Sequence, residues 1–210
     1  MMEGLILLVN ALINAIFKLA LLSVIPIIVY LAFHRKRQGL SEYLGIKKPP
    51  AGSYVNAIKL SSIAYVFSII VIVFWFQQSN GLTMNPLKEA KDTGSVFILV
   101  ASSVLFGLQA GISEEVFFRG FLGKLLIRRF GFTKGNVIQT IIFIAPHYFT
   151  FINTNTPLSV FVLLMLNAGL MGYVFGYITE KKSNGSILPA ILVHTLIDIA
   201  SGFIMLALAK

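Results

Sequence analysis

The sequence predicts an all-α fold, a polytopic integral membrane bundle of about six transmembrane helices. Apolar residues make up 57% of the 210 residues, charged residues only 12%, and the mean hydropathy is +0.85. Soluble domains are typically about 45–50% apolar and about 25% charged, so this chain has too few polar side chains to cover a globule in water. The composition argues against a disordered chain and a nucleic-acid-binding domain, and the absence of cysteine excludes disulfides and thiolate chemistry.

Apolar stretches of membrane-spanning length follow one another along the chain, so we treat residues 1–210 as a single integral membrane domain. A helix crosses a bilayer with about 20 apolar residues. The first stretch is longer and holds Lys18 and Pro26, which leaves open whether it is one helix or two. We expect Lys18 to reach the outer membrane surface with its flexible side chain. The six stretches are Leu5–Phe33, Ile58–Phe76, Val96–Phe118, Asn136–Phe151, Leu158–Thr179 and Ser186–Leu206.

Small residues predict where two of these helices pack closely against neighbours. The third stretch contains Gly107 and Gly111, and the fifth repeats Ala168, Gly172 and Gly176 at every fourth position. This spacing creates a flat stripe along a helix, which lets the backbones of two helices approach each other. We interpret both stripes as packing surfaces rather than as catalytic elements.

Basic residues predict the orientation in the membrane. Of the 17 Lys and Arg residues, 13 fall in the loops after the first and third stretches and before the sixth. Cytoplasmic loops carry an excess of Lys and Arg, so we expect these loops in the cytoplasm and both termini outside. The small size and the Ile-, Phe- and Lys-rich composition favour a bacterial plasma membrane.

Five ionisable residues in or against the spans are candidate functional residues, because such groups are costly in a bilayer. They are Glu114, Glu115, His147, His194 and Asp198. At 1.5 Å of rise per residue, both histidines and Asp198 lie roughly 12–18 Å from the cytoplasmic ends of their helices. Glu114 shares this level if its helix continues beyond the third stretch. The set predicts one site within the membrane, nearer to the cytoplasmic face.

Spacing divides these residues between two roles. His194 and Asp198 are four residues apart and share a helix face. Glu114 and Glu115 point about 100° apart, so they do not aim at the same atom. Glu115 precedes Arg119 by four residues, the arrangement that favours an ion pair. We expect this pair to fix the helix and Glu114 to face the bundle interior.

The constellation fits two kinds of chemistry. A carboxylate beside an imidazole in a water-poor site activates water as a general base, and a second imidazole with a polar neighbour stabilises an oxyanion. Equally, Glu114, His147, His194 and Asp198 are candidate ligands of a zinc ion that keeps one position for water. The residues alone leave open a zinc cofactor and no cofactor.

Three motifs on separate spans resemble the CAAX prenyl protease and bacteriocin-processing family of intramembrane proteases, also called the Abi family. The family motifs EExxxR, FxxxH and HxxxN or HxxxD stand here at residues 114–119, 143–147 and 194–198, and the resemblance covers residues 96–200. It implies that Glu114 is the catalytic base, with His147 as its partner on the attacking water. It also implies that His194 and the residue at position 198 polarise the scissile carbonyl. By the same motifs, the site is supported by Glu115, Arg119 and Phe143.

One position departs from the family pattern. Asp198 stands where the eukaryotic and archaeal CAAX proteases of the family resemble one another in carrying asparagine, an amide donor. An ionised carboxylate donates no hydrogen bond, so Asp198 suits metal ligation or the orientation of His194 better than an oxyanion role. The family has been described both as metalloproteases and as glutamate-dependent proteases without a metal, and the sequence does not decide between them.

The sequence therefore predicts an intramembrane endopeptidase that cleaves peptide bonds at or near the cytoplasmic face. Its partners are the lipid bilayer and a peptide or membrane-protein substrate, such as a prenylated C-terminus or a bacteriocin-like peptide; nucleic acid is not expected, and the oligomeric state stays open. One alternative is a non-enzymatic membrane protein for immunity or scaffolding. A weaker alternative is a proton- or cation-coupled transporter, since buried carboxylates and histidines also form relays.

Overall fold

The computed structural model describes residues 2–33, 39–78, 87–152 and 156–208, without the side chains of Thr150 and Phe151. These ranges are almost entirely helical and contain no strand, which confirms the predicted all-α fold. Two of the helical segments have the wider π-helical turn and are named π1 and π2. The elements are α1 (Met2–Phe33), α2 (Leu40–Leu44), α3 (Ser53–Gln78), α4 (Lys88–Asp92), α5 (Val96–Glu114), π1 (Glu115–Gly123), α6 (Lys124–Phe151), α7 (Leu158–Tyr177), π2 (Ile178–Lys182) and α8 (Leu188–Leu208).

In the described part of the chain, five helical runs are long and apolar enough to cross a membrane. The first is α1, a single helix with Pro26 inside it, so the first apolar stretch is not divided. The third run, Val96–Phe149, has 54 residues, about twice the length that one crossing requires. The runs are Met2–Phe33, Ser53–Gln78, Val96–Phe149, Leu158–Lys182 and Leu188–Leu208.

The 54-residue run turns back on itself at Gly131, whose φ of 75° and ψ of 167° are not helical. Phe118 packs against Phe143 with ring centroids 4.9 Å apart. Closer to the turn, Gly135 lies against the backbone of Ile127. Both pairs are centred on Gly131, so the two arms are antiparallel. The run passes through the bundle twice, so the five runs of the described chain make about six passes, as hydropathy predicts.

The helices extend beyond the apolar stretches that end at Phe118 and begin at Asn136. The helix of the third span continues through π1 and the first turns of α6 as far as the turn at Gly131. The basic residues Lys124, Arg128 and Arg129 end the apolar pattern there, but they are good helix formers and do not end the helix. Glu114 therefore lies well inside a long helix, as the shared depth of the candidate residues requires.

We expect the turn at Gly131 to depend on glycine, because its backbone conformation is essentially restricted to that residue. A Cβ atom at this position meets no other atom within 4 Å, so any cost of Gly131→Ala is conformational. We predict a loss of about 1–3 kcal/mol in the free energy of unfolding, measured by denaturant titration in detergent. Gly39 is the matched control, since its φ of −69° suits any residue and its surroundings are equally open. Equal stability of Gly131→Ala and Gly39→Ala would contradict the prediction.

Basic loops meet at one end of the bundle. Ser53 Oγ donates a hydrogen bond of 2.9 Å to the carbonyl of Lys182, and Lys124 Nζ donates one of 2.8 Å to the carbonyl of Gly185. The loops before α3, around α6 and before α8 are therefore neighbours, as alternating helices require. We call this end the basic end. The predicted loop residues Arg35, Lys36 and Arg37, and the terminal Lys210, lie outside the described residues.

The small residues provide close helix packing, as predicted. A Cβ atom on Gly107 would lie 2.7 Å from the carbonyl oxygen of Thr195 on α8, and one on Gly172 would lie 3.1 Å from Thr140 on α6. Glycine thus brings α5 against α8 and α7 against α6. The first of these contacts places Glu114 beside His194 and so assembles the site.

Candidate active site

A buried hydrogen-bonded chain of three side chains joins π1 to α8. Glu115 Oε1 accepts hydrogen bonds from Arg119 Nη1 and His194 Nδ1, each 2.8 Å long. Glu115 is 0% exposed, Arg119 2% and His194 3%. The ion pair of Glu115 and Arg119 confirms the prediction from their spacing. The contact with His194 was not predicted, because it depends on how two distant helices pack.

Aromatic rings and backbone carbonyls hold the guanidinium of Arg119 in place. The guanidinium lies 4.3 Å from the centroid of the Phe143 ring, within the range of cation–π attraction. It also donates a hydrogen bond of 3.2 Å to the carbonyl of Gly172. Phe143 packs at right angles to Phe118 and lies 5.0 Å from the ring of His147. Phe143 therefore connects the Arg119 region to the histidine on α6.

The bond to Glu115 fixes the ring of His194 and decides which nitrogen faces the site. Carboxylate oxygens only accept hydrogen bonds, so Nδ1 carries a proton and Nε2 points away from Glu115. Nε2 lies 3.6 Å from Asp198 Oδ2 and 3.9 Å from Glu114 Oε2. Both distances exceed a direct hydrogen bond. The Nε2 side of the imidazole thus lies between the carboxylates of Glu114 and Asp198 without a direct hydrogen bond to either.

The second histidine presents one nitrogen to the same space. His147 Nδ1 lies 3.0 Å from the carbonyl oxygen of Phe143, one turn earlier on α6. A carbonyl oxygen only accepts, so Nδ1 donates and Nε2 remains available as an acceptor. A histidine in this state accepts a proton or orients a water molecule.

A cavity of about 310 Å³ lies between α1, α3, α5, α6, α7 and α8. Its wall includes all four residues predicted to be catalytic, which come from three different helices. Most of the remaining wall is apolar, with Trp75, Phe106 and Met171 among its residues. The predicted catalytic residues in the wall are Glu114, His147, His194 and Asp198.

Lys18 is also part of this wall, and the expectation for it was wrong. Its Nζ donates a hydrogen bond of 2.8 Å to Glu114 Oε1. Glu114 thus faces the bundle interior, as predicted, but it does so paired with Lys18. Lys18 lies near the middle of α1, about 24 Å from Met2 and about 22 Å from Phe33 along the helix axis. That is too far for its side chain to reach a membrane surface. Its position in the middle of the first apolar stretch was the feature of the sequence that could have indicated an interior role.

Ser68 and Asn167 are polar residues of the cavity that were not predicted. Ser68 on α3 and Asn167 on α7 face each other across the wall, with 2.9 Å between Ser68 Oγ and Asn167 Oδ1. Each lies in the middle of an apolar stretch, and a polar side chain in that position could have been recognised from the sequence as a candidate for the bundle interior. They bring hydrogen-bonding groups into an otherwise apolar part of the cavity.

The candidate zinc ligands do not form a metal site in this arrangement. Among the described residues, no three His, Asp or Glu side chains converge on a common position for a metal ion. Glu114 Oε1 already contacts the ammonium of Lys18, and a second cation beside that ammonium would be repelled. The donor set therefore does not fit a resident zinc ion, and no step below uses one.

The carboxylates and histidines of the three sequence motifs thus line one cavity inside a helical membrane bundle. The family model of type II CAAX prenyl endopeptidases, Rce1-like, matches residues 96–200, which is half of the chain. The chain belongs to this Rce1-like family of CAAX-type intramembrane endopeptidases. No curated protein and no solved structure matches the chain. The matched range includes all seven predicted site residues but not Lys18.

Proposed function

We propose that the protein cleaves peptide bonds with a water molecule that Glu114 and His147 activate. The observation that carries this proposal is the shared cavity, which Glu114, His147, His194 and Asp198 enter from three helices. In such a water-poor space, a carboxylate and an imidazole that face the same water act as its general base. The apolar wall accommodates the substrate around the scissile bond.

Charge balance in the site favours a protonated His194. Three carboxylates, Glu114, Glu115 and Asp198, lie on this part of the bundle. Of the described residues that pair with them, Lys18 and Arg119 are the permanent cations. A protonated imidazole neutralises the excess negative charge, and its Nε2–H is then a donor. In this scheme Asp198 supports the charge of His194 and is not itself an oxyanion donor. This role agrees with its departure from the asparagine of the family motif.

The reaction proceeds by general-base attack. Glu114 removes a proton from water while His147 Nε2 accepts the other hydrogen bond, and the water oxygen attacks the carbonyl carbon. The electron pair of the carbonyl double bond moves to oxygen, which receives a hydrogen bond from His194 Nε2. The C–N bond then breaks and the proton held by Glu114 moves to the leaving nitrogen. The products are a new carboxyl end and a new amine end.

The proposed substrate is a peptide segment that enters from the cytoplasmic side. His194 lies six residues after the start of α8, about 9 Å from the basic end along that helix. Because basic loops are retained in the cytoplasm, the basic end faces that compartment and the termini lie outside. These points support cleavage close to the cytoplasmic surface, within reach of a membrane-anchored chain such as a prenylated C-terminus.

The test compares cleaved termini in host membranes that contain the wild type, Glu114→Ala or Glu89→Ala. Glu89 is the matched control because it is an exposed glutamate on α4, away from the cavity. We expect new N-termini in the wild type and Glu89→Ala samples that are absent from Glu114→Ala. The same three proteins, purified into liposomes, are then assayed on an internally quenched farnesylated CAAX peptide.

The outcomes separate the proposal from its alternatives. Equal cleavage by the wild type and Glu114→Ala, or no cleavage by either, would contradict the endopeptidase mechanism. A host phenotype that survives in a Glu114→Gln/His147→Ala double variant would favour the scaffold or immunity function instead.

A further inference from the structure

We propose that Lys18 is a catalytic residue whose ammonium stabilises the oxyanion. The inference rests on the proposed endopeptidase function and adds a residue from outside the family match. Lys18 Nζ contacts Glu114 Oε1 at 2.8 Å and lines the cavity that holds both histidines. The ammonium is therefore within a few ångströms of the proposed attack on the carbonyl.

The position of Lys18 calls for a functional explanation. Glu3 is the only other charged residue of α1, and Lys18 lies at the centre of this 32-residue helix, far from either end. A lysine at that depth is expensive in a bilayer. Its pair with Glu114 offsets part of the cost, but partly buried ion pairs contribute little net stability. Holding α1 against the bundle is thus a weak explanation for a lysine here. A part in the reaction that Glu114 catalyses is a stronger explanation.

The two histidines of the cavity wall donate from a charged ring only when they are protonated. Among the described residues that line it, Lys18 is the one with a permanent positive charge. Asp198 supplies a carboxylate in place of an amide donor, and its Oδ2 lies 3.6 Å from His194 Nε2. A developing oxyanion therefore has a place for one more donor, and the ammonium of Lys18 carries three hydrogens.

The proposed step moves negative charge from one partner of Lys18 to another. Before attack, the ammonium pairs with the ionised carboxylate of Glu114. When Glu114 takes the proton from water, its carboxyl becomes neutral, and the electron pair of the carbonyl bond places the negative charge on the substrate oxygen. Lys18 then donates to that oxygen. Because the cation keeps an anionic partner throughout, the transition state avoids an unpaired charge in a low-dielectric site.

The experiment measures steady-state kinetics of Lys18→Met and Lys18→Arg on the internally quenched farnesylated CAAX peptide in liposomes. Loss of one oxyanion donor typically lowers kcat by about 100- to 1,000-fold. We expect a loss of this size in Lys18→Met, a change in KM below about threefold, and partial recovery of kcat in Lys18→Arg. Lys88→Met is the control, because Lys88 is exposed on α4, outside the cavity wall, and its ammonium pairs with Asp92.

A second readout separates contact with the oxyanion from a role in positioning Glu114. A farnesylated peptide phosphonamidate imitates the tetrahedral oxyanion. Removing an enzyme group that contacts the oxyanion weakens the binding of such a transition-state analogue. In Lys18→Met its Ki is expected to rise by about the factor by which kcat/KM falls. An unchanged Ki would overturn the proposal, because a positioning role affects proton transfer without contacting the analogue oxygen.

The remaining outcomes are also decisive. If Glu114→Ala is inactive while Lys18→Met keeps its kcat, or loses activity through KM alone, the role of Lys18 is wrong and the proposed function stands. If Glu114→Ala cleaves as fast as the wild type, the proposed function falls first. Lys18→Arg preserves the charge, so a folding defect confined to Lys18→Met is recognised by denaturant titration of both variants.

Discussion

Glu115→Ala is expected to lower the free energy of unfolding by about 3–5 kcal/mol and to abolish cleavage. Glu115 is fully buried and accepts hydrogen bonds from both Arg119 and His194. Its removal leaves the guanidinium of Arg119 buried without its carboxylate partner, and breaking one side of a buried ion pair costs about this amount. The measurement is denaturant titration in detergent, followed by the peptide cleavage assay.

Glu42→Ala is the matched control for this prediction. Glu42 also pairs with a basic residue, Lys47, at 3.1 Å, but the glutamate side chain is 53% exposed. Exposed ion pairs contribute only about 0–1 kcal/mol, so Glu42→Ala is expected to unfold close to the wild type. Both variants remove a glutamate that pairs with a basic residue, but Glu115 is buried and also bonded to His194, whereas Glu42 is exposed.

A double variant identifies the cause of the instability. In Glu115→Ala/Arg119→Met both buried charges are absent, so the desolvated guanidinium no longer opposes folding. This double variant is expected to be more stable than Glu115→Ala alone, although still inactive because His194 has lost its orienting partner. If it is less stable than Glu115→Ala, packing of the Arg119 side chain on Phe143 outweighs the unpaired charge and the electrostatic explanation is wrong.

Hydropathy was sufficient to predict the bundle, because the cost of exposing polar backbone and side chains to lipid leaves few alternatives to apolar helices. It does not locate the turn between the third and fourth passes. There the helix continues through Lys124 to the vicinity of Gly131, where hydropathy has already fallen. Hydropathy reports contact with lipid, whereas the end of a helix depends on backbone conformation, here that of a single glycine.

The candidate site was predictable where its contacts are local. The spacing of Glu115 and Arg119 predicts their ion pair, because four residues make about one helical turn. The bond from His194 to Glu115 and the bond from Lys18 to Glu114 join residues 79 and 96 positions apart. Such contacts depend on which helices pack side by side, and the glycine stripes indicated close packing without naming the partner helix.

Lys18 shows why a motif finds only part of a site. The three motifs lie in residues 96–200, whereas Lys18 comes from the first helix and belongs to no recognisable pattern. A single lysine in an apolar stretch has several explanations, and only its distance from both ends of α1 favours one of them. The structure adds the contact that the sequence does not show, the ammonium 2.8 Å from Glu114 Oε1.

The largest kinetic effects are expected for Glu114 and His147, and their combination tests whether they share one water molecule. Removal of a general base lowers kcat by about 100- to 10,000-fold, so Glu114→Gln and His147→Ala are each expected to lose activity within this range. Groups that act as a unit are strongly non-additive. The double variant is therefore expected to cleave about as slowly as the slower single variant.

The control combines each single variant with Lys88→Met, whose side chain lies on exposed α4. These pairs are expected to retain the activity of the single variant, because Lys88 has no part in the cavity. Cleavage of the farnesylated peptide is followed under single-turnover conditions, so that product release does not hide the chemical step. If the losses of Glu114→Gln and His147→Ala multiply in the double variant, the two residues act independently. A single water held between Glu114 and His147 Nε2 is then the wrong description, and the base must be Glu114 alone.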